Sequence, residues 1–280
     1  MGVKQSQIMN ITQSQTPKTF TNFRINIFYP FNPNLNNIKV FLLVVGDAFS
    51  VDYYSHLAER ISNKGIIIAV IDFSDERIIK DEGRINTSYN PSCVHVKNML
   101  DSKYGKNKYT ITGWFIGGHS SGGKQAYSKA CQYNNVIRTI DTQNFNVPSG
   151  YIGLDPINRG DGDNYVSLFP YNHLNKPSLI ISPIVSGYDI HDDNNGKVFY
   201  KFTDSKAPRY LILFSDIDHM FFIQTPTEPT PYMKILFWNF ISDIIYYFIM
   251  DNSANFHDYI SNITNLIYPV MIYSGDKNVT

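Results

Sequence analysis

Apolar residues along the chain fall into short runs and one-sided faces that alternate. Thr19 to Tyr29 (TFTNFRINIFY) alternates apolar and polar positions and is rich in β-formers, so it predicts a first strand. Ile38 to Val45 (IKVFLLVV) and Ile66 to Ile71 (IIIAVI) are continuous apolar runs, the pattern of strands covered on both faces. Between them Tyr54, Leu57, Ala58 and Ile61 recur at i, i+3, i+4 and i+7, one face of a helix that Gly65 ends. Strand, helix and strand with short connections predict a parallel sheet.

The same alternation continues downstream. Asp72 to Asn90 is polar and reads as a surface excursion, with a helix from about Ser92 to Asp101. Further strands are expected at Tyr109–Gly117, Tyr151–Leu154, Ser178–Val185 and Arg209–Phe214, with Gly113 a candidate break in the first of these. Helices are expected at Ser121–Tyr133, Met233–Met250 and Phe256–Leu266. Ile235 to Met250 is the one stretch that approaches membrane length, but it falls short of the roughly 20 residues a span needs. Asn239, Ser242, Asp243 and Tyr246 also form a polar stripe on it, which predicts an amphipathic helix packed on a sheet. With 280 residues, no internal repeat and no linker, the pattern predicts a flexible polar tail over 1–18 and a single domain over 19–280.

Charge and cysteine narrow the class. Twenty-four basic residues balance 24 acidic ones, which argues against nucleic acid as a partner. Cys93 and Cys131, the only two cysteines, are expected to be reduced thiols in a cytoplasmic protein. The first residues are too polar for a secretory signal. Met1-Gly2-Val3-Lys4-Gln5-Ser6 does match the N-myristoylation pattern at Gly2, which would add a weak membrane association. No His/Cys cluster suggests a metal, Asp189 to Gly196 lacks the spacing of a calcium loop, and no cofactor motif is evident.

The candidate chemistry centres on Gly118-His119-Ser120-Ser121-Gly122, between an apolar run and a helix start. This is the G-x-S-x-G pattern of a nucleophile elbow, a sharp strand-to-helix turn that exposes the serine hydroxyl. A serine needs a base to take its proton and a carboxylate to orient that base. His219, just after the last predicted strand, is the candidate base. Asp155 and Asp189 each end a predicted strand, and both are open as the acid. Asp216 and Asp218 flank His219 too closely to orient it. Oxyanion donors are expected from the N–H of Ser121, next to the nucleophile, and from the loop after Val45, at Asp47 or else Ala48.

These segments resemble the α/β-hydrolases of the chlorophyllase type, which are related to platelet-activating-factor acetylhydrolases and cutinase-like esterases. Ile25 to Pro30 is similar to the family's first strand and its YP turn. Leu42 to Gly65 resembles the segment with its HG turn and Y-x-H-L. Gly118 to Lys124 (GHSSGGK) is close to its GHSRGGK. Gly153-Leu154-Asp155-Pro156-Ile157 resembles the segment carrying the family's triad acid, which favours Asp155 over Asp189. Asn195 to Tyr200 resembles its N-H-x-x-F-Y loop, and Asp218-His219-Met220 its G-H-M. Three positions depart: Val45 replaces the histidine of HG, Ser121 the arginine, and Gly196 the loop histidine.

The resemblance implies an α/β-hydrolase fold, a mostly parallel sheet with helices on both faces. It also implies a serine carboxylic-ester hydrolase working through Ser120, Asp155 and His219. The aromatic residues Phe49, Tyr53, Phe221 and Phe222 point to an apolar ester, lipid-like or chlorophyll-like. The altered Val45-Gly46-Asp47 turn leaves a second reading, a catalytically silent member that binds a ligand or partner.

Overall fold

The computed structural model describes residues 4–5, 24–46, 49–72, 83–134, 146–157, 173–184, 196–204, 206–225, 229–250, 256, 258–260, 270–275 and 277–278. The strands are β1 (Lys4–Gln5), β2 (Arg24–Phe28), β3 (Ile38–Val44), β4 (Ile67–Asp72), β5 (Ile111–Ser120), β6 (Gly150–Pro156), β7 (Ser178–Pro183), β8 (Arg209–Phe214), β9 (Val270–Ser274) and β10 (Lys277–Asn278). The helices are α1 (Ser55–Asn63), α2 (Gly83–Tyr104), α3 (Ser121–Gln132), α4 (Gly196–Lys201) and α5 (Tyr232–Met250). All strands join one sheet in the order β1-β2-β4-β3-β5-β6-β7-β8-β9-β10. From β4 to β8 every pairing is parallel, and β2 and β9 flank that block antiparallel. The molecule therefore has an α/β fold built on a mostly parallel sheet.

Period-two alternation sorts the strand residues onto two cores. Phe41, Leu43, Ile68, Val70, Ile152, Leu154, Ile212 and Phe214 share one core with α1 and α5. Val40, Leu42, Val44, Ile67, Ala69, Ile71, Trp114 and Ile116 share the other with α2, α3 and α4. Both faces are thus covered by helices, which is why β3 and β4 read as unbroken apolar runs. Along α5 the buried residues include Phe237, Trp238, Ile241, Ile244, Ile245, Phe248 and Ile249. By length and composition this helix could cross a membrane, yet 44% of its most apolar window is buried in the body. Its polar stripe meets α1: Arg60 Nε donates to Asn239 and Lys64 pairs with Asp243.

Some elements differ from the sequence expectation. The excursion expected over Asp72–Asn90 is helical from Gly83, and α2 runs on through Pro91. Proline lacks the N–H of an interior helical position, so Pro91 reads as a boundary, and the expected start at Ser92 falls nine residues after the observed one. Gly113 does not break β5; the register shifts beside it, between the partners Ile38 and Lys39. The chain closes on strands β9 and β10 as well as helix, and Lys4–Gln5, inside the expected tail, pairs with Ile27 and Phe28. Of the helix expected at Phe256–Leu266, residues 261–266 lie outside the described residues.

Candidate active site

The strand order reverses at β3: β4 follows it on one side, and β5 lies on the other. Open α/β sheets bind ligands in the crevice at such a point, beyond the carboxyl ends of the strands. Gly46 follows the end of β3 there, and Ser120 ends β5.

Ser120 has φ 56° and ψ −132°, a backbone conformation that L residues rarely adopt. It stands directly before α3, whose first free N–H groups carry partial positive charge. The turn is tight because its glycines leave no space for a side chain. A Cβ on Gly118 would lie 2.5 Å from the backbone of Gly122, and one on Gly122 would lie 2.2 Å from the Val45 carbonyl oxygen. Gly46 abuts the same serine: a Cβ there would be 2.9 Å from Ser120 Cβ.

Asp155, on β6, meets His219, in the segment that follows β8. Asp155, near the end of β6, is fully buried and has φ 41°. Its Oδ2 lies 2.6 Å from His219 Nδ1. The carboxylate only accepts in this contact, so Nδ1 carries the proton and Nε2 is left as the basic nitrogen of the neutral ring. Asp155 Oδ1 is buried without a hydrogen-bond partner among the described residues. The imidazole is therefore the main compensation for taking this carboxylate out of water.

His219 opens a 3-10 turn, His219–Phe222, five residues after β8. Asp218 caps that turn, its Oδ1 accepting from the Met220 N–H at 2.8 Å. The turn is pinned by Trp238 Nε1, which donates to the Phe221 carbonyl at 2.6 Å, and by Gln224 N–H, which donates to the Tyr53 carbonyl at 2.9 Å. Asp216 and Asp218 are exposed beside it.

His119, the residue before Ser120 in the chain, contacts His219. Its ring stacks on that of His219 with centroids 4.3 Å apart. His119 is fully buried, and burial, with the charge His219 would carry as a second cause, holds its pKa well below the usual histidine value. Its Nε2 is 3.0 Å from the His219 carbonyl oxygen, and its Nδ1 is 2.8 Å from the Tyr54 hydroxyl. The Tyr54 oxygen in turn accepts the Gly46 N–H at 3.0 Å. Sequence reasoning passed over His119 and Tyr54, although His119 lies inside the motif; its partners are 65 and 100 positions away.

Because the Gly46 N–H is turned to Tyr54, an oxyanion donor from this loop must come from beyond Gly46. Asp47 and Ala48, expected for that role, lie outside the described residues, as do Asp189 and Gly2. Ser121 is the first residue of α3. Phe49, Tyr53 and Phe221 are half-buried against the core, with the Phe49 ring 5.9 Å from that of His119, whereas Phe222, expected with them to face the substrate, is fully buried in the core. His173 precedes β7, at the amino ends of the parallel strands rather than their carboxyl ends. Cys93 and Cys131 are buried and form no disulfide, and burial pushes the pKa of Cys131 up to about 12. Among the described residues no group of three His, Cys, Asp or Glu side chains could hold a metal ion.

No protein-family model matches the chain, and no curated protein matches its sequence.

Proposed function

We propose that this chain is a serine carboxylic-ester hydrolase with an α/β-hydrolase architecture, similar to the chlorophyllase type, acting on an apolar ester. The observation that carries the reading is the buried bond between Asp155 and His219, two residues 64 positions apart. It lies beside a serine held in a strained strand-to-helix turn, at the reversal point of the sheet.

In this reading the Ser120 hydroxyl attacks the ester carbonyl carbon. Its proton passes to His219 Nε2, while Asp155 holds Nδ1–H and stabilises the imidazolium. The Ser121 N–H at the start of α3 and a donor from Asp47 or Ala48 receive the oxyanion, each worth about 2.7–4 kcal/mol in the transition state. His219 returns the proton to the leaving alcohol, and water, deprotonated by the same nitrogen, releases the acid. Half-buried Phe49, Tyr53 and Phe221 would offer the substrate aromatic surface, which favours a lipid-like or chlorophyll-like ester.

Turnover of p-nitrophenyl esters of graded acyl length tests the proposal. The wild type is expected to hydrolyse them and Ser120→Ala to fall to background; equal rates in the two would remove Ser120 as nucleophile. The departure at Val45-Gly46 favours a second reading, a silent member that binds a ligand or partner. A fluorophosphonate probe separates the two, since only a working nucleophile and base react with it.

A further inference from the structure

We propose that His119 and Tyr54 are positioning residues for this hydrolysis: together they tie the turn after β3 to the main chain of His219 by a one-way relay of hydrogen bonds. The proposal rests on the reading of Ser120 and His219 given above.

The direction of the relay follows from the chemistry of each group. A carbonyl oxygen only accepts, so His119 Nε2, 3.0 Å from the His219 carbonyl, carries its proton. A neutral ring protonated at Nε2 accepts at Nδ1, so the Tyr54 hydroxyl donates there, across 2.8 Å. That leaves the Tyr54 oxygen to accept the Gly46 N–H at 3.0 Å. Gly46 N–H, Tyr54 O–H and His119 Nε2–H thus all point the same way, an arrangement in which each bond polarises the next.

The ends of the relay are the two parts of the site that must keep register. Gly46 touches Ser120 and leads into the loop expected to supply an oxyanion donor. The His219 carbonyl belongs to the base itself. A purely packing residue at 119 needs no ring nitrogens: Phe222 and Phe49 flank the ring, with centroids 5.5 and 5.9 Å away, and a phenyl ring would meet them at no desolvation cost. Imidazole there bonds to both segments at once, beside the Gln224–Tyr53 backbone bond that also joins them. A misplacement of about 1 Å at a reacting group can cost about 100-fold in rate, so a tether on the base acts on kcat.

The test compares full-length wild type, Tyr54→Phe, His119→Phe and His119→Gln. Tyr54→Phe removes one oxygen and keeps the ring, so it serves even where His119→Phe does not fold. Tyr54→Phe and His119→Phe are expected to lower kcat for p-nitrophenyl esters about 10- to 100-fold with KM little changed. His119→Gln, whose amide N–H extends about as far as Nε2–H, is expected to recover most of that loss. Wild-type kcat in folded Tyr54→Phe, or a Gln variant no better than Phe, would overturn the proposal.

A second readout does not depend on turnover. The His219 Nδ1 proton, followed by NMR on protein labelled with ¹⁵N-histidine, is expected to exchange with water faster in Tyr54→Phe than in wild type. Unchanged exchange would overturn the tether. A wild type inert to esters and to the fluorophosphonate would instead sink the hydrolase reading, while the proton exchange would still decide the tether.

Discussion

Ser120 and Asp155 are both held at positive φ, at 56° and 41°, where an L side chain costs about 1–3 kcal/mol. Glycine tolerates such a backbone, so Ser120→Gly is expected to be about 1 kcal/mol more stable than Ser120→Ala in urea unfolding, with both inert toward esters. Equal stability would mean that the turn relaxes around the alanine. Asp155→Asn keeps the shape but removes the charge that holds Nδ1–H. A loss of two to four orders of magnitude in kcat, about 10²–10⁴-fold, is expected, measured with the same p-nitrophenyl esters. At this scale the sequence was informative where the chemistry is local. Gly118-x-Ser120-x-Gly122 sits in one window, and its glycines are required by backbone 2.2–2.5 Å from where a Cβ would be. The Tyr54–His119–His219 relay joins residues from three distant segments, and nothing in a single window shows it.

Among the elements, β3, β4 and β5 were legible because they are covered on both faces and carry unbroken apolar runs. β9 was missed: Val270-Met271-Ile272-Tyr273-Ser274 is short, antiparallel and set after a segment read as helix. The start of α2 was missed because Pro91 reads as a boundary although the helix passes through it. The link between α5 and the base could not be read from either sequence alone. Trp238 Nε1 donates to the Phe221 carbonyl inside the turn that His219 opens. Trp238→Phe is expected to lower stability by about 1–3 kcal/mol by leaving that carbonyl unpaired. If the bond also steadies the turn, ester kcat falls with it; a stability change with kcat intact would confine the bond to a packing role. Gly122→Ala, which drives a methyl into the Val45 carbonyl, is expected to cost about 3 kcal/mol or more, read from the urea midpoint.

For the whole molecule, strand order was the part the sequence withheld. Hydrophobic period sets which face a strand buries, but not which neighbour it pairs with. β4-β3-β5 became visible only with the fold, and with it the close approach of Gly46 to Ser120. Global stability should carry a signature of His119. Its pKa is depressed in the folded protein by burial, while an unfolded histidine titrates near about 6.5. Below that pH the unfolded chain takes up a proton that the folded ring refuses, so stability falls as pH drops and is level above it. The His119 contribution to the slope should approach about 1.4 kcal/mol per pH unit, so His119→Gln should be less steep than wild type, retaining the contribution of His95, which burial also shifts down, as urea midpoints between about pH 5 and 8 would show. Parallel curves for the two proteins would mean that residue 119 protonates freely in the fold.

The strained serine ends a strand in the middle of the sheet, whereas its proposed base, His219, arrives about a hundred positions later, after β8. During synthesis, nascent polypeptide would therefore carry the hydroxyl well before any base could serve it. On the proposed mechanism, an unfinished copy is inert toward esters until its last third has docked. Stalled ribosome complexes of increasing length, exposed to a phosphonate reporter, would date that moment.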